Sequence, residues 1–207
     1  MAMAAPPWQA PAVDAEWVRK LVLLRHAKSA WPDDVPDHDR PLGRRGRRDA
    51  PAAGRWLRLA GCIPDHALCS TARRARDTWQ LAQTELGARP ATYFESGLYE
   101  ASASGLLDLI RRLPPAARTV VIVGHDPALP ELALALAGPA GARCLKTATL
   151  TAARSFDRMQ AKFPTAAIAV FELSCRWSEL APGRARLASF VTPHEMHDMH
   201  RDRSEKA

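Results

Sequence analysis

Two short apolar runs, Leu21-Val22-Leu23-Leu24 and Thr119-Val120-Val121-Ile122-Val123, each end at a histidine. The first delivers Arg25-His26-Ala27 and the second Gly124-His125-Asp126-Pro127. Runs of this length, aliphatic throughout, read as parallel strands buried on both faces. Ligands of an open α/β sheet bind beyond the carboxyl ends of its strands, so both histidines are predicted to face one crevice. Two imidazoles and a guanidinium there suit phosphate chemistry. A neutral imidazole can attack phosphorus, while the other groups bind the phosphoryl oxygens.

The rest of the chain alternates in the same way. A strand at 19–24 is followed by a loop with three prolines and four aspartates, 31–41, which is unsuited to a helix. Helical spacing of Ala53, Trp56, Leu57 and Ala60 predicts a helix over 47–60, stopped by Gly61. A strand at 67–69 leads to a helix capped by Ser70 or Thr71 that runs to about Leu86. A brief strand at 91–94, an amphipathic helix at 102–113 and the strand at 119–123 come next. Helices at 128–137 and 149–162 and strands at 166–173 and 185–191 complete the pattern. Strands alternating with helices of ten or more residues imply a three-layer α/β/α sandwich on a mainly parallel sheet, its last two strands forming an antiparallel edge. Residues 1–18 read as a poorly ordered Ala/Pro-rich leader, 19–193 as a single domain and 194–207 as a polar tail.

Length and composition agree with one core. The chain has 207 residues, 47% hydrophobic and 25% charged, which is ordinary for a globular domain. Net charge is +7, with much of the arginine between 40 and 58 and between 73 and 76, beside the predicted crevice. A funnel for a phosphorylated substrate accounts for that charge without nucleic acid. Cys62, Cys69, Cys144 and Cys175 have no paired spacing and read as buried free thiols of a reducing compartment. No apolar run approaches a bilayer span, and the expectation is a soluble cytoplasmic protein with no membrane contact.

Ser70-Thr71-Ala72-Arg73-Arg74-Ala75-Arg76-Asp77-Thr78 follows the second strand and opens a helix, a place where backbone N–H groups and an arginine meet an anion. Three strand ends thus each carry a phosphate-competent group. In this ordered set the chain resembles the histidine phosphatase superfamily, with the phosphoglycerate-mutase-like fold, and within it the small SixA-type phosphohistidine phosphatases. The resemblance runs from Lys20 to Val191. It rests on Leu23-Leu24-Arg25-His26-Ala27-Lys28-Ser29, on Asp39-Arg40-Pro41-Leu42 with Gly46, and on the Ser-x-x-x-Arg-x-x-x-Thr spacing of Ser70, Arg74 and Thr78. Val123-Gly124-His125-Asp126-Pro127 and Lys162-Phe163-Pro164-Thr165 complete it.

The resemblance implies a phosphatase without metal or cofactor. His26 is the nucleophile, and Arg25, Arg74, His125 and Ser29 hold the phosphoryl group. A neutral His26 beside a protonated His125 would give a bell-shaped pH profile. The general acid stays open between Glu100, near where larger members carry a catalytic glutamate, and Asp126, which stands as the aspartate does in the acid phosphatase branch. A solvated carboxylate and a helix cap are their alternative readings. The implied substrate is phosphohistidine on a protein. A small phosphomonoester is the alternative, and inorganic phosphate or sulfate would fit the same site. A non-catalytic phosphoprotein-binding module is the remaining class, while the short chain and Ala27 speak against a mutase. The aspartates at 33, 34, 37 and 39 read as solvated, and His194, His197 and His200 as polar tail, not as metal ligands. Phe156, Phe163, Trp56, Trp79 and Trp177 read as core or its edge.

Overall fold

Strand β1 (Arg19–Arg25) buries every residue from Leu21 to Leu24, and its alternation explains why. Leu21 and Leu23 enter one hydrophobic cluster, while Val22 and Leu24 enter another on the opposite face. Strand β4 (Thr119–Gly124) divides likewise, with Val120 and Ile122 on the first side and Val121 and Val123 on the second. A strand apolar at every position therefore serves two cores at once. The structure, a computed structural model, describes residues 18–143 and 150–204, with side chains over 18–138 and 154–199.

The other strands are β2 (His66–Ser70), β3 (Ala91–Glu95), β5 (Ile168–Leu173) and β6 (Arg186–Val191). The helices are α1 (Arg44–Leu59), α2 (Arg73–Gln83), α3 (Ala103–Arg111), α4 (Ala128–Arg143), α5 (Leu150–Ala161) and α6 (Pro193–Ser204). One sheet holds the strands in the order β3-β2-β4-β1-β5-β6. The first four are mutually parallel, whereas β5 runs antiparallel to β1 and β6 antiparallel to β5. Residues of α3, α4 and α5 join the first cluster, and those of α1, α2 and α6 join the second. This is the expected three-layer sandwich with an antiparallel edge.

Several boundaries differ from the sequence reading, each for a physical reason. Helix α1 begins three residues early, at Arg44, because its first turn is pinned to the chain after His26. A Cβ added to Gly46 would stand 2.2 Å from the Lys28 carbonyl oxygen, so only glycine allows that approach. Helix α2 is capped by neither expected hydroxyl. Its N-cap is Ala72, and Ser70 and Thr71 turn their hydroxyls towards His125 and His38. The same helix stops at Gln83, short of the expected Leu86, and the chain goes on through shorter-range turns to Leu86. Strand β5 starts two residues late because Ala166 adopts φ +62° and gives its N–H to the carbonyls of both Arg25 and His26. The expected stop at Gly138 is a kink, φ +58°, after which helical turns continue to Arg143.

Residues 194–204 of the expected tail, with Pro193 before them, form α6. Met196 is buried in the second cluster, and His197 Nε2 lies 2.9 Å from Asp49 Oδ1 on α1. Cys62 and Cys69 are buried and Cys175 half-buried, all three free thiols. The leader at 1–17, Cys144 and the side chain of His200 lie outside the described residues. Trp56, Trp79, Trp177 and Phe163 are buried, and Phe156 packs at the edge of the first cluster.

Candidate active site

Neighbouring β1 and β4 are in register to their ends, Arg25 opposite Gly124, so His26 and His125 emerge side by side. Their ring centroids are 5.1 Å apart. The His26 N–H donates to the Gly124 carbonyl (3.0 Å), and Ala166 ties the same turn from the other side. His26 Nδ1 lies 2.8 Å from the Ala27 carbonyl oxygen. A carbonyl only accepts, so Nδ1 carries the hydrogen and Nε2 keeps its lone pair. Burial, with the nearby His125, Arg74 and Arg25, lowers the His26 pKa to about 3, although the Ala27 bond works the other way. At neutral pH this imidazole is uncharged, with its lone pair on Nε2.

The end of β2 supplies the next groups. Thr78, fully buried on α2, accepts from the Ala27 N–H (2.9 Å) and donates to the Arg74 carbonyl (2.6 Å). One hydroxyl thereby couples the residue after His26 to Arg74, which explains the four-residue spacing. Arg74 is itself buried, at 7% exposure. Ser70 Oγ accepts from the Ala72 N–H and lies 2.8 Å from His125 Nε2. The buried Ser70 hydroxyl, already accepting from Ala72, has its own hydrogen to place, and His125 Nε2 is the acceptor beside it; donation to Nε2 puts the hydrogen of the neutral His125 ring on Nδ1. Nδ1 is buried without a partner among the described residues, a donor suited to an oxyanion.

Burial, followed by the charge of Arg74, lowers the His125 pKa to about 4. The protonated His125 behind the expected bell-shaped profile is therefore not the neutral-pH form of the anion-free site. Positive charge there comes from the two arginines.

Arg25 Nη1 donates to the Phe163 carbonyl (2.6 Å), and Nη2 pairs with Asp126 (3.1 Å). Its Nε is buried without a hydrogen bond among the described residues. Asp126 thus turns its carboxylate to Arg25. Glu100 is exposed on the turn after Tyr99 and has no hydrogen-bond or ion-pair partner among the described residues. The buried Ser29 hydroxyl accepts from Arg40 Nη2.

Two residues that the sequence reading did not assign to the site, Asp37 and Tyr99, stand at its rim. Asp37, counted with the solvated aspartates, accepts from Arg40 Nη1 (2.5 Å) and from the Tyr99 hydroxyl (2.7 Å) and pairs with Arg74 Nη2 (3.0 Å). The Tyr99 bond, then Arg40 and Arg74, hold its pKa at about 2 against partial burial. Tyr99 stands edge-on to both His38 (4.9 Å) and His125 (5.6 Å). The sequence signal for Asp37 was its position three residues before Arg40, one turn in which carboxylate and guanidinium meet. Tyr99 carried no signal of its own. No group of three or more metal-ligating side chains occurs among the described residues.

Residues 21–109 match the profile of the histidine phosphatase superfamily, branch 1. An uncharacterised Mycobacterium tuberculosis protein is 43% identical over 170 residues, 82% of this chain and 99% of that one. Among solved structures, a candidate phosphohistidine phosphatase SixA from Nakamurella multipartitia is 31% identical with a TM-score of 0.71. The match covers 85% of this chain and 96% of that chain. A further SixA candidate, from Agrobacterium tumefaciens, is 27% identical over 84% of this chain and 98% of that one, TM-score 0.66.

The chain belongs to the histidine phosphatase superfamily. Membership accounts for the fold, and the phosphatases among its structural neighbours support phosphatase activity. No helix among the described residues is long and apolar enough to cross a membrane.

Proposed function

We propose that this member is a metal-independent phosphatase that works through a phosphohistidine on His26 and dephosphorylates phosphohistidine carried by a protein. The observation that carries the reading is the state of His26: hydrogen held on Nδ1 by Ala27, lone pair on Nε2, and neutrality at working pH. Nε2 attacks phosphorus and the bond to the leaving group breaks. Water then attacks the phosphoryl-His26, returning the electron pair to Nε2 and releasing inorganic phosphate. Arg25 and Arg74 carry fixed positive charge against the phosphoryl oxygens, and His125 Nδ1 donates a hydrogen bond to them. No step calls on a metal, in keeping with the donor set, which is arginine and histidine around a nucleophile.

Asp126 and Glu100 are both poorly placed as general acids in this reading, one paired with Arg25 and the other exposed without partners. A phosphohistidine leaving group removes the need for one. Similarity to SixA candidates supports the same substrate class, and free thiols at Cys62, Cys69 and Cys175 support a cytoplasmic setting. The test is turnover by EDTA-treated enzyme of a phosphohistidine protein against phosphoserine and sugar phosphates, with His26→Ala as control. Chelator-resistant preference for phosphohistidine, lost in His26→Ala, is expected. Preference for a small metabolite, or activity restored only by metal, would overturn the proposal.

A further inference from the structure

The Asp37 carboxylate stands at the mouth of the phosphate clamp with capacity to spare. Two carboxylate oxygens offer about four acceptor positions, and three are taken: Arg40 on Oδ1, Arg74 and Tyr99 on Oδ2. The side chain is 51% exposed, and Oδ1, with one donor on it, has an acceptor position left for an incoming group. Beside it the Tyr99 ring, edge-on to His38 and His125, forms a flat aromatic wall leading from Asp37 to the second site histidine. Arg40 and Arg74 hold the carboxylate in place, and its negative charge disfavours an anion and suits a cationic N–H at the position left over.

Resting on the reading that phosphohistidine is the substrate, we propose that Asp37 is a specificity-determining residue that accepts a hydrogen bond from the far ring nitrogen of the substrate imidazole, with Tyr99 flanking the ring. The chemistry then balances without a general acid. The substrate ring is protonated on the nitrogen away from phosphorus. His26 Nε2 supplies the electron pair of the new P–N bond. The old P–N bond breaks, its pair stays on the released nitrogen, and the ring departs as neutral imidazole with its N–H still on Asp37. Ester substrates leave as alkoxide or aryloxide and have no N–H to offer, so the same carboxylate disfavours them. The Tyr99 hydroxyl and the Arg40 and Arg74 guanidinium groups keep Asp37 ionised for this contact.

The test compares wild-type, Asp37→Asn and Asp37→Glu enzyme on N-phosphoimidazole, its N-methylated cation and para-nitrophenyl phosphate, each rate divided by that without enzyme. Asp37→Asn is expected to lose about 10- to 100-fold more kcat/KM on phosphoimidazole than on the aryl ester, the scale of one charge-assisted hydrogen bond. Asp37→Glu should recover part of that ratio, and wild type should favour phosphoimidazole over the methylated cation, which keeps the charge and lacks the N–H. Equal losses on both substrates would show that Asp37 acts only by holding Arg74, and would overturn the proposal. Should Asp37→Asn fail to fold, equal wild-type rates on phosphoimidazole and its methylated cation overturn it independently. Wild type that hydrolyses the aryl ester and ignores every phosphoimidazole would instead refute the underlying substrate reading.

Discussion

Thr78→Val tests the coupling between the His26 turn and Arg74 with almost no change in side-chain shape. The native hydroxyl accepts the Ala27 N–H at 2.9 Å and donates to the Arg74 carbonyl at 2.6 Å, in a fully buried position. Valine leaves the Ala27 N–H buried without an acceptor, at a cost of about 1–3 kcal/mol. The second bond adds little, since the Arg74 carbonyl already faces the helix N–H four residues on. A loss of about 2 kcal/mol lowers Tm by roughly 4–8 °C in a domain of this size, and the enzyme stays folded. Because Ala27 also anchors His26 Nδ1 through its carbonyl, the peptide shift moves the proposed nucleophile, and kcat should fall about 10- to 100-fold. Thr78→Ser, which keeps the hydroxyl, should recover most of both. Calorimetry and para-nitrophenyl phosphate kinetics provide the assay. A valine variant as stable and active as wild type would refute the coupling.

Other consequences follow from the same geometry. Gly46→Ala forces a Cβ to 2.2 Å from the Lys28 carbonyl oxygen, so the loop after His26 must shift, costing about 1–3 kcal/mol in denaturant unfolding; an unchanged midpoint would contradict the close approach. His26 and His125 titrate near 3 and 4 when folded, below their ordinary 6.5. The unfolded chain therefore takes up protons first, and stability falls as pH drops from about 6.5 towards 4, by about 1.4 kcal/mol per pH unit for each histidine. Urea midpoints in phosphate-free buffer that stay flat over that window would disprove the depressed values. Glu100→Gln should keep kcat/KM within about twofold, as for a surface residue without partners; a large loss would restore Glu100 as the acid.

The central layer of the molecule was legible because buried parallel strands write themselves as continuous apolar runs, and their carboxyl ends located His26 and His125. Arg74 was legible through spacing, since Ser70 and Thr78 bracket it on one helix. What escaped lay in groups whose roles are set across the fold. Asp37 stands in a loop where carboxylates are ordinarily solvated, and only folding brings Arg74 and Tyr99 to it. Ser70 looked like a helix cap because its sequence context is that of a cap, yet its hydroxyl bonds His125, fifty-five residues away. The depressed His125 pKa likewise comes from tertiary burial and the Arg74 charge, neither of which a local sequence displays.

Rapid quench of the enzyme with a radiolabelled phosphoryl donor tests the proposed mechanism most directly. A phosphoryl-enzyme stable in base and labile in acid should form within one turnover and map to the peptide containing His26. It should be absent from His26→Ala and chase to inorganic phosphate on dilution. Full turnover by His26→Ala, or label on a serine, threonine or aspartate in place of His26, would contradict the account.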